Sequence, residues 1–122
     1  MVIESIKLEN FRNYETLELT LDPGTNIFLR GKMPRERQII LESVYLCGTT
    51  KSHKGSKDRE MIRFDQEEAH IRMKLDRDGS SYSIDMHLKK NRPKGIAING
   101  VPIRKAGELL GLGNLYFFLR KI

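Results

Sequence analysis

The sequence of 122 residues lacks tryptophan, contains a single cysteine and has no long hydrophobic run. The lone Cys47 cannot form an internal disulfide, and it lies in an apolar stretch. These features favour a small buried side chain in a reducing cytoplasm over a reactive thiol. No apolar run approaches the ~20 residues that a membrane-spanning helix requires. The first residues also lack the basic and then apolar segments of a secretory signal, so the sequence predicts a cytoplasmic protein.

Aromatic residues are also few, at 7% of the chain. Most of them share the phase of their apolar neighbours, which assigns them to the core and disfavours stacking on single-stranded nucleic acid. His70 and His87 fall on the polar phase of their predicted strands, and no cysteine or second histidine close by in the sequence completes a ligand set. The sequence therefore predicts no metal site. No serine, histidine and acid at suggestive spacing indicate a catalytic triad either.

Positive charge is present in blocks. The net charge is +6, and it is negative over residues 1–29 and 64–88 but positive over residues 30–63 and 89–122. Clustered cations favour a polyanionic partner, because each phosphate that they neutralise releases counterions. Solvated loops without a partner are the alternative interpretation. The candidate DNA-binding side chains are Lys51, His53, Lys54, Lys57, Arg59, Lys89, Lys90, Arg92 and Lys94.

Apolar periodicity predicts three strands and then one main helix in the first half of the chain. Alternation around residues 6–8 and 16–21 indicates two half-buried strands, and the apolar run at 25–30 indicates a third strand that is buried on both faces. From residue 40 the apolar spacing becomes helical, with Gly48 as the predicted end. The polar, basic residues 49–55 predict a surface loop. Residues 58–64 predict a short helix that docks Met61, Ile62 and Phe64.

The second half predicts antiparallel β-structure. Apolar residues alternate over 69–75 and 82–88 on either side of Asp78-Gly79, a strong hairpin signal. Asn99-Gly100 predicts a second tight turn, followed by a short helix at 104–111 and a final strand at 115–119. The expected fold class is α/β (α+β mixed), with a mixed and antiparallel sheet and one main helix in a single domain, residues 1–122.

Five motifs occur in one order along the chain. They are residues 10–14 (Asn-Phe-Arg-Asn-Tyr), 25–31, 41–45, 51–65 and 112–118. Each is weak by itself, but in this order and spacing they resemble the RecF family of DNA replication and repair proteins over about residues 2–118. The resemblance implies the N-terminal part of a P-loop NTPase head of the ABC/SMC type. It divides the chain into a P-loop-like unit at 1–48, a basic loop and short helix at 49–66 and a hairpin region at 67–122.

The same resemblance implies a role in DNA replication, recombination and repair linked to the SOS response. The implied partners are double-stranded DNA and, further, recombination-mediator proteins or a second copy of the chain. Because the Walker B half of such heads does not follow, the chain is expected to be a fragment that does not hydrolyse ATP alone. ATP and Mg²⁺ enter only through the resemblance. Two alternatives are an ATP-binding half completed in trans and a protein-interaction module that uses an exposed sheet edge.

By this resemblance, the nucleotide site falls on residues that depart from a working P-loop. The positions are Gly31, Lys32, Met33, Pro34, Arg35, Glu36, Arg37 and Gln38, with Arg12 close to the nucleotide. The motif requires Gly-x-x-x-x-Gly-Lys-[Ser/Thr], of which only the first glycine is present. A carboxylate at Glu36 would face phosphates, and two like charges about 4 Å apart cost about 4 kcal/mol at an effective dielectric near 20. The structural alternative makes Pro34 the first residue of a helix, with Glu36 favoured by the helix dipole.

Overall fold

The computed structural model describes residues 2–21, 34–52 and 54–104. Within these ranges, six strands form one sheet in the order β2-β1-β3-β4-β5-β6, with every neighbouring pair antiparallel. The elements are β1 Val2–Phe11, β2 Tyr14–Thr20, α1 Pro34–Thr49, α2 Asp58–Met61, β3 Glu68–Arg77, β4 Ser80–Lys89, β5 Arg92–Ile98 and β6 Val101–Pro102.

The core lies between α1 and one face of this sheet. Side chains alternate between the two faces of a strand, so the apolar residues at every second position all reach the same side. Helix α1 contacts that side and covers β3 and β4. The buried apolar side chains that these four elements contribute are Ile3, Ile6, Leu8 and Phe11 of β1, Ala69, Ile71, Met73 and Leu75 of β3, Ile84, Met86 and Leu88 of β4, and Ile39, Ile40, Val44, Leu46 and Cys47 of α1. Burial raises the pKa of the Cys47 thiol, which suits a structural side chain.

The hairpin prediction is confirmed. Strands β3 and β4 pair in unbroken register from Glu68↔Lys89 to Arg77↔Ser80. The two turn residues have positive φ, 52° at Asp78 and 85° at Gly79, as a type I′ turn requires. The fold class is also confirmed, because residues 2–21, 34–52 and 54–104 contain an antiparallel sheet and one long helix. In the described part of the chain, no helix has the length and apolar character needed to cross a membrane.

Helix α1 ends later than predicted. It continues through Gly48 to Thr49, and Thr50 then adopts a left-handed conformation with φ 66°. The Thr50 N–H donates to Leu46 O at 2.8 Å, the kind of bond that usually accompanies a glycine at this position. Thr50 is buried, so the predicted surface loop does not begin at residue 49.

The short helix is also shorter than predicted. Helix α2 covers only Asp58–Met61, and Ile62 pairs with Phe11 in an isolated bridge. Met61 and Ile62 are buried as predicted, but Phe64 is 87% exposed, so the prediction that it docks in the core is wrong. The reason is that the bridge to β1 ends the helical phase two residues before Phe64. The predicted strands at 25–30 and 115–119 and helix residues 105–111 lie outside the described residues.

Candidate nucleic-acid interface

Arg12 forms the centre of a partly buried ionic cluster. It lies in the turn between β1 and β2 with φ 53°, and its backbone N–H donates to Met61 O at 2.7 Å. Its guanidinium meets the Glu42 carboxylate of α1 in a bidentate pair. Arg12 Nε donates to Oε1 at 2.7 Å and Nη2 to Oε2 at 2.8 Å. This two-bond geometry is among the stronger forms of ion pair.

The same two side chains also hold the segment that follows α1. Arg12 Nη2 donates to Ser56 Oγ at 3.1 Å, and Nη1 donates to Glu60 O at 3.1 Å. Ser52 Oγ donates to Glu42 Oε2 at 3.2 Å. We call Arg12, Glu42, Ser52 and Ser56 the Arg12–Glu42 cluster. It ties together the β1–β2 turn, helix α1 and residues 52–60.

Burial and charge act in opposite directions within the cluster. The Glu42 side chain is 1% exposed and that of Arg12 is 25% exposed. Burial by itself raises the pKa of Glu42, but the hydrogen bond and charge of Arg12, helped by Lys54 and Ser52, outweigh it and hold the pKa below its ordinary value. The bond to Glu42 raises the pKa of Arg12, although burial opposes this. Both groups are therefore charged at neutral pH. Arg12 is thus a partly buried ion-pair partner of α1.

Those nucleotide positions that the structure describes do not fit ATP and Mg²⁺. Helix α1 begins at Pro34, so the fourth to eighth positions of the aligned motif are helical. In a helix each N–H bonds the carbonyl four residues earlier, which commits the Gln38 N–H, while Pro34 has no N–H at all. Glu36 adds a carboxylate to the first turn. Arg12 is occupied by Glu42, and Gly31, Lys32 and Met33 lie outside the described residues.

Calorimetric titration of the chain with Mg-ATP is expected to show no micromolar binding. The physical reason is the acidic first helical turn at a position where a phosphate cradle requires free N–H groups. The matched variant carries Glu36→Gly, Arg37→Lys and Gln38→Thr together. Micromolar binding by the unaltered chain would contradict the prediction. Binding only by the variant would assign the defect to these three side chains.

Two basic segments meet on one surface. Helix α2 lies beside the β4–β5 turn, and the two line a shallow depression of ≈ 380 Å³. A larger neighbouring depression of ≈ 860 Å³ shares Arg59 and Lys90 with it. We call the cations of these two depressions the basic surface. Its members are Lys57, Arg59, Lys89, Lys90 and Arg92 in the first depression, and Arg35 and Arg63, with Arg12 at the margin, in the second.

Other predicted DNA-binding residues lie elsewhere. Lys94 Nζ donates to Asp58 Oδ1 at 3.1 Å, with both side chains 25% exposed, so it ties β5 to α2. Lys51 and Lys54 are exposed but line neither depression. His53 lies outside the described residues.

Sequence reasoning missed several residues of this site. Arg63 and Phe64 stand in a recognised motif, but Phe64 was assigned to the core. Glu42 carried a usable signal, since a carboxylate inside the apolar stretch of a helix requires a buried cation. Arg35 belongs to a block of positive charge but is not among the DNA-binding candidates named from the sequence. No local pattern indicates that it would share a depression with Arg59.

The opposite face of the sheet carries a stacked histidine pair. His70 and His87 are direct cross-strand partners, with ring centroids 4.0 Å apart and planes 25° apart. The structure therefore brings together two histidines that lie far apart in the sequence, while the expectation of no metal site stays a prediction. The hairpin register around Asp78-Gly79 was the signal that could have found the pair. His87 Nε2 lies 3.3 Å from Glu68 Oε1 but forms no hydrogen bond. Among the described residues, no group of three or more His, Cys, Asp or Glu is placed to hold a metal ion.

Curated relatives match almost the whole chain. The DNA replication and repair proteins RecF of Lachnoclostridium phytofermentans and Agathobacter rectalis are each 56% identical over 118 residues, which is 97% of this chain and 32% of each relative. RecF of Clostridium perfringens is 37% identical over the same share. The chain thus spans about a third of the length of these relatives. No family model matches it.

Solved structures agree with the sequence relatives. A structure of the recombination mediator protein RecF-ATPrS in the RecFOR pathway superposes with a TM-score of 0.77 at 27% identity, covering 88% of this chain and 29% of that one. A structure from work on ATP-driven dimerisation and DNA-stimulated activation of SMC ATPases gives a TM-score of 0.75 at 14% identity, covering 96% of this chain and 80% of that one. The second likeness shows the fold alone. Together they confirm the predicted head architecture.

Proposed function

Because the chain belongs to the RecF family and corresponds to the N-terminal part of its members, we propose that it acts in DNA replication, recombination and repair as a DNA-binding portion of a head. It binds the phosphate backbone of duplex DNA through the basic surface, weakly and without sequence preference. It neither binds ATP tightly nor hydrolyses it alone. The observation that carries this proposal is the meeting of two distant basic segments in adjoining depressions.

The available charge on the basic surface supports phosphate contact. The side chains of Arg35, Arg59 and Arg63 form no ion pair or side-chain hydrogen bond with another described residue. Lys90 is only loosely paired, with Nζ 3.8 Å from Glu67 Oε1 on the protein surface. Unpaired guanidinium groups suit phosphate oxygens because of their planar, multi-donor geometry. Contacts of this kind position a protein on DNA but carry no sequence information directly.

The two alternatives have less support. An ATP-binding half completed in trans requires a phosphate cradle, and the helix at residues 34–38 works against one. A protein-interaction module would use a free sheet edge, and β2 is the outermost strand on one side of the described sheet. The candidate partners would then be mediator proteins of the RecFOR pathway, in which the solved RecF relative takes part. No feature of the β2 edge indicates the chemistry of a protein partner, whereas the basic surface indicates a polyanion.

Fluorescence anisotropy with labelled duplex DNA tests the proposal. Raising the salt concentration from about 50 to 200 mM is expected to weaken binding by about a hundredfold if about four phosphates are contacted. Duplexes of equal length and unrelated sequence should bind alike. Affinity that does not change with salt would contradict the electrostatic mechanism, and a strong preference for one sequence would contradict backbone contact.

A further inference from the structure

Phe64 is the most exposed large hydrophobic side chain in the described part of the structure. It is 87% exposed, compared with 64% for Val101 and 38% for Val2. Full burial of a phenylalanine side chain raises the equilibrium constant for folding by about ten- to a hundredfold, according to its transfer free energy. The exposed Phe64 ring does not provide this stabilisation, although Met61 and Ile62, close before it in the sequence, are buried.

The turn that carries Phe64 is held at both ends. On one side Ile62 pairs with Phe11, and the Arg63 N–H donates to Asn10 O at 2.8 Å. On the other side the Gln66 N–H closes the turn onto Arg63 O at 3.0 Å. Asp65 completes it with φ 63°, a left-handed conformation that non-glycine residues seldom adopt. The exposed ring therefore stands on an anchored turn.

The surroundings of the ring are cationic. Phe64 lines the larger depression together with Arg35, Arg59, Arg63 and Lys90. The carboxylates of Glu60 and Asp65 are there too, but the cations outnumber them. A protein-docking patch would continue the apolar surface around Phe64, whereas its neighbour Ile62 is only 7% exposed. A single aromatic ring framed by cations matches a nucleic-acid base attached to its phosphates.

We propose that Phe64 stacks on an unpaired base of DNA whose backbone lies on the basic surface. Within a continuous duplex both faces of each base are covered by neighbouring bases, so the ring gains a partner only where a base is unpaired. The chain thus binds a duplex with one unpaired base more tightly than a continuous duplex. This inference rests on the proposed DNA-binding function and assigns a ligand to Phe64. It reverses the sequence-based expectation that stacking is disfavoured.

The test compares two DNA probes by fluorescence anisotropy at one salt concentration. One is a continuous duplex, and the other is the same duplex with one unpaired base. The chain is expected to prefer the second about tenfold, within the range that alanine substitution assigns to stacking on one base. Phe64→Ala and Phe64→Leu are expected to remove the preference for the unpaired base, while Phe64→Trp retains it. Val101→Ala, another exposed hydrophobic position, serves as the matched control.

The outcomes separate this inference from the proposed function. Binding to both probes without a preference, or a preference that survives Phe64→Leu, overturns the stacking role alone. Absence of binding to either probe overturns both proposals. Because Phe64 is exposed and contributes little to the core, its variants are expected to fold. Thermal melts followed by circular dichroism verify this for each variant.

Discussion

Arg12→Ala is expected to lower the free energy of unfolding by about 3 kcal/mol, in the range found when one partner of a buried ion pair is removed. The substitution leaves the Glu42 carboxylate 1% exposed, with the Ser52 hydroxyl as its remaining hydrogen-bond partner from the cluster. It also removes the bonds to Ser56 and Glu60 that hold residues 52–60. Urea denaturation followed by circular dichroism measures the change.

Removal of the other partner is expected to cost less. In Glu42→Gln the Arg12 side chain, already 25% exposed, can reach water, so the loss is about 1 kcal/mol, typical of one weakened hydrogen bond. The matched control is Arg72→Ala, because Arg72 also binds a carboxylate, that of Asp85, at 2.6 Å. That pair is exposed at 55% and 34%, and such surface pairs contribute about 1 kcal/mol or less. Equal losses for Arg12→Ala and Arg72→Ala would contradict the role of burial.

The pH dependence of stability follows from the same pair. The pKa of Glu42 in the folded state lies below its ordinary value of 4.5. Its contribution is therefore fully present above pH 4.5 and is lost as the pH falls through the folded value. In Arg12→Ala the balance reverses, because burial without the arginine raises the pKa of Glu42. The stability difference between the two proteins is thus expected to shrink in acid.

Charge reversal at Arg59 and Lys90 is expected to produce the largest loss of DNA affinity. These two residues line both depressions of the basic surface. Each phosphate contact releases about 0.9 of a counterion on binding, and the double variant Arg59→Glu with Lys90→Glu removes two such contacts. Duplex affinity is therefore expected to fall by about a hundredfold at roughly 0.1 M salt. The slope of log affinity against log salt should also fall in magnitude by about 2, which anisotropy titrations at several salt concentrations measure.

The control for this double variant keeps the same change in net charge. Lys74→Glu with Arg104→Glu reverses two exposed cations that line neither depression. Because neither residue lines a depression, the control loses no phosphate contact of the basic surface and is expected to change affinity only slightly. If the control loses as much affinity as the double variant, net charge rather than the basic surface governs binding.

The parts of the fold that the sequence predicted well depend on local patterns. The β3–β4 hairpin follows from period-2 alternation on both sides of Asp78-Gly79, and each turn residue supplies its own positive φ. The start of α1 at Pro34 likewise follows from the preference of proline for the first helical turn. Where prediction failed, a contact from elsewhere had intervened. Phe64 lies outside the core because Ile62 pairs with Phe11 in a bridge. Helix α1 reaches Thr49 because Thr50, rather than Gly48, adopts the left-handed conformation that ends the helix.

By itself the sequence determined the strand and turn pattern, the blocks of positive charge, the departure of residues 36–38 from a P-loop and the kinship with RecF. Each of these is a property of neighbouring residues or of motifs in order. Only the tertiary structure decided that Arg12 pairs with Glu42, thirty residues away, and that Arg59 meets Lys90. It also decided that Phe64 faces solvent. These facts depend on which strands pair, and on how the helices lie against them, which no local pattern specifies.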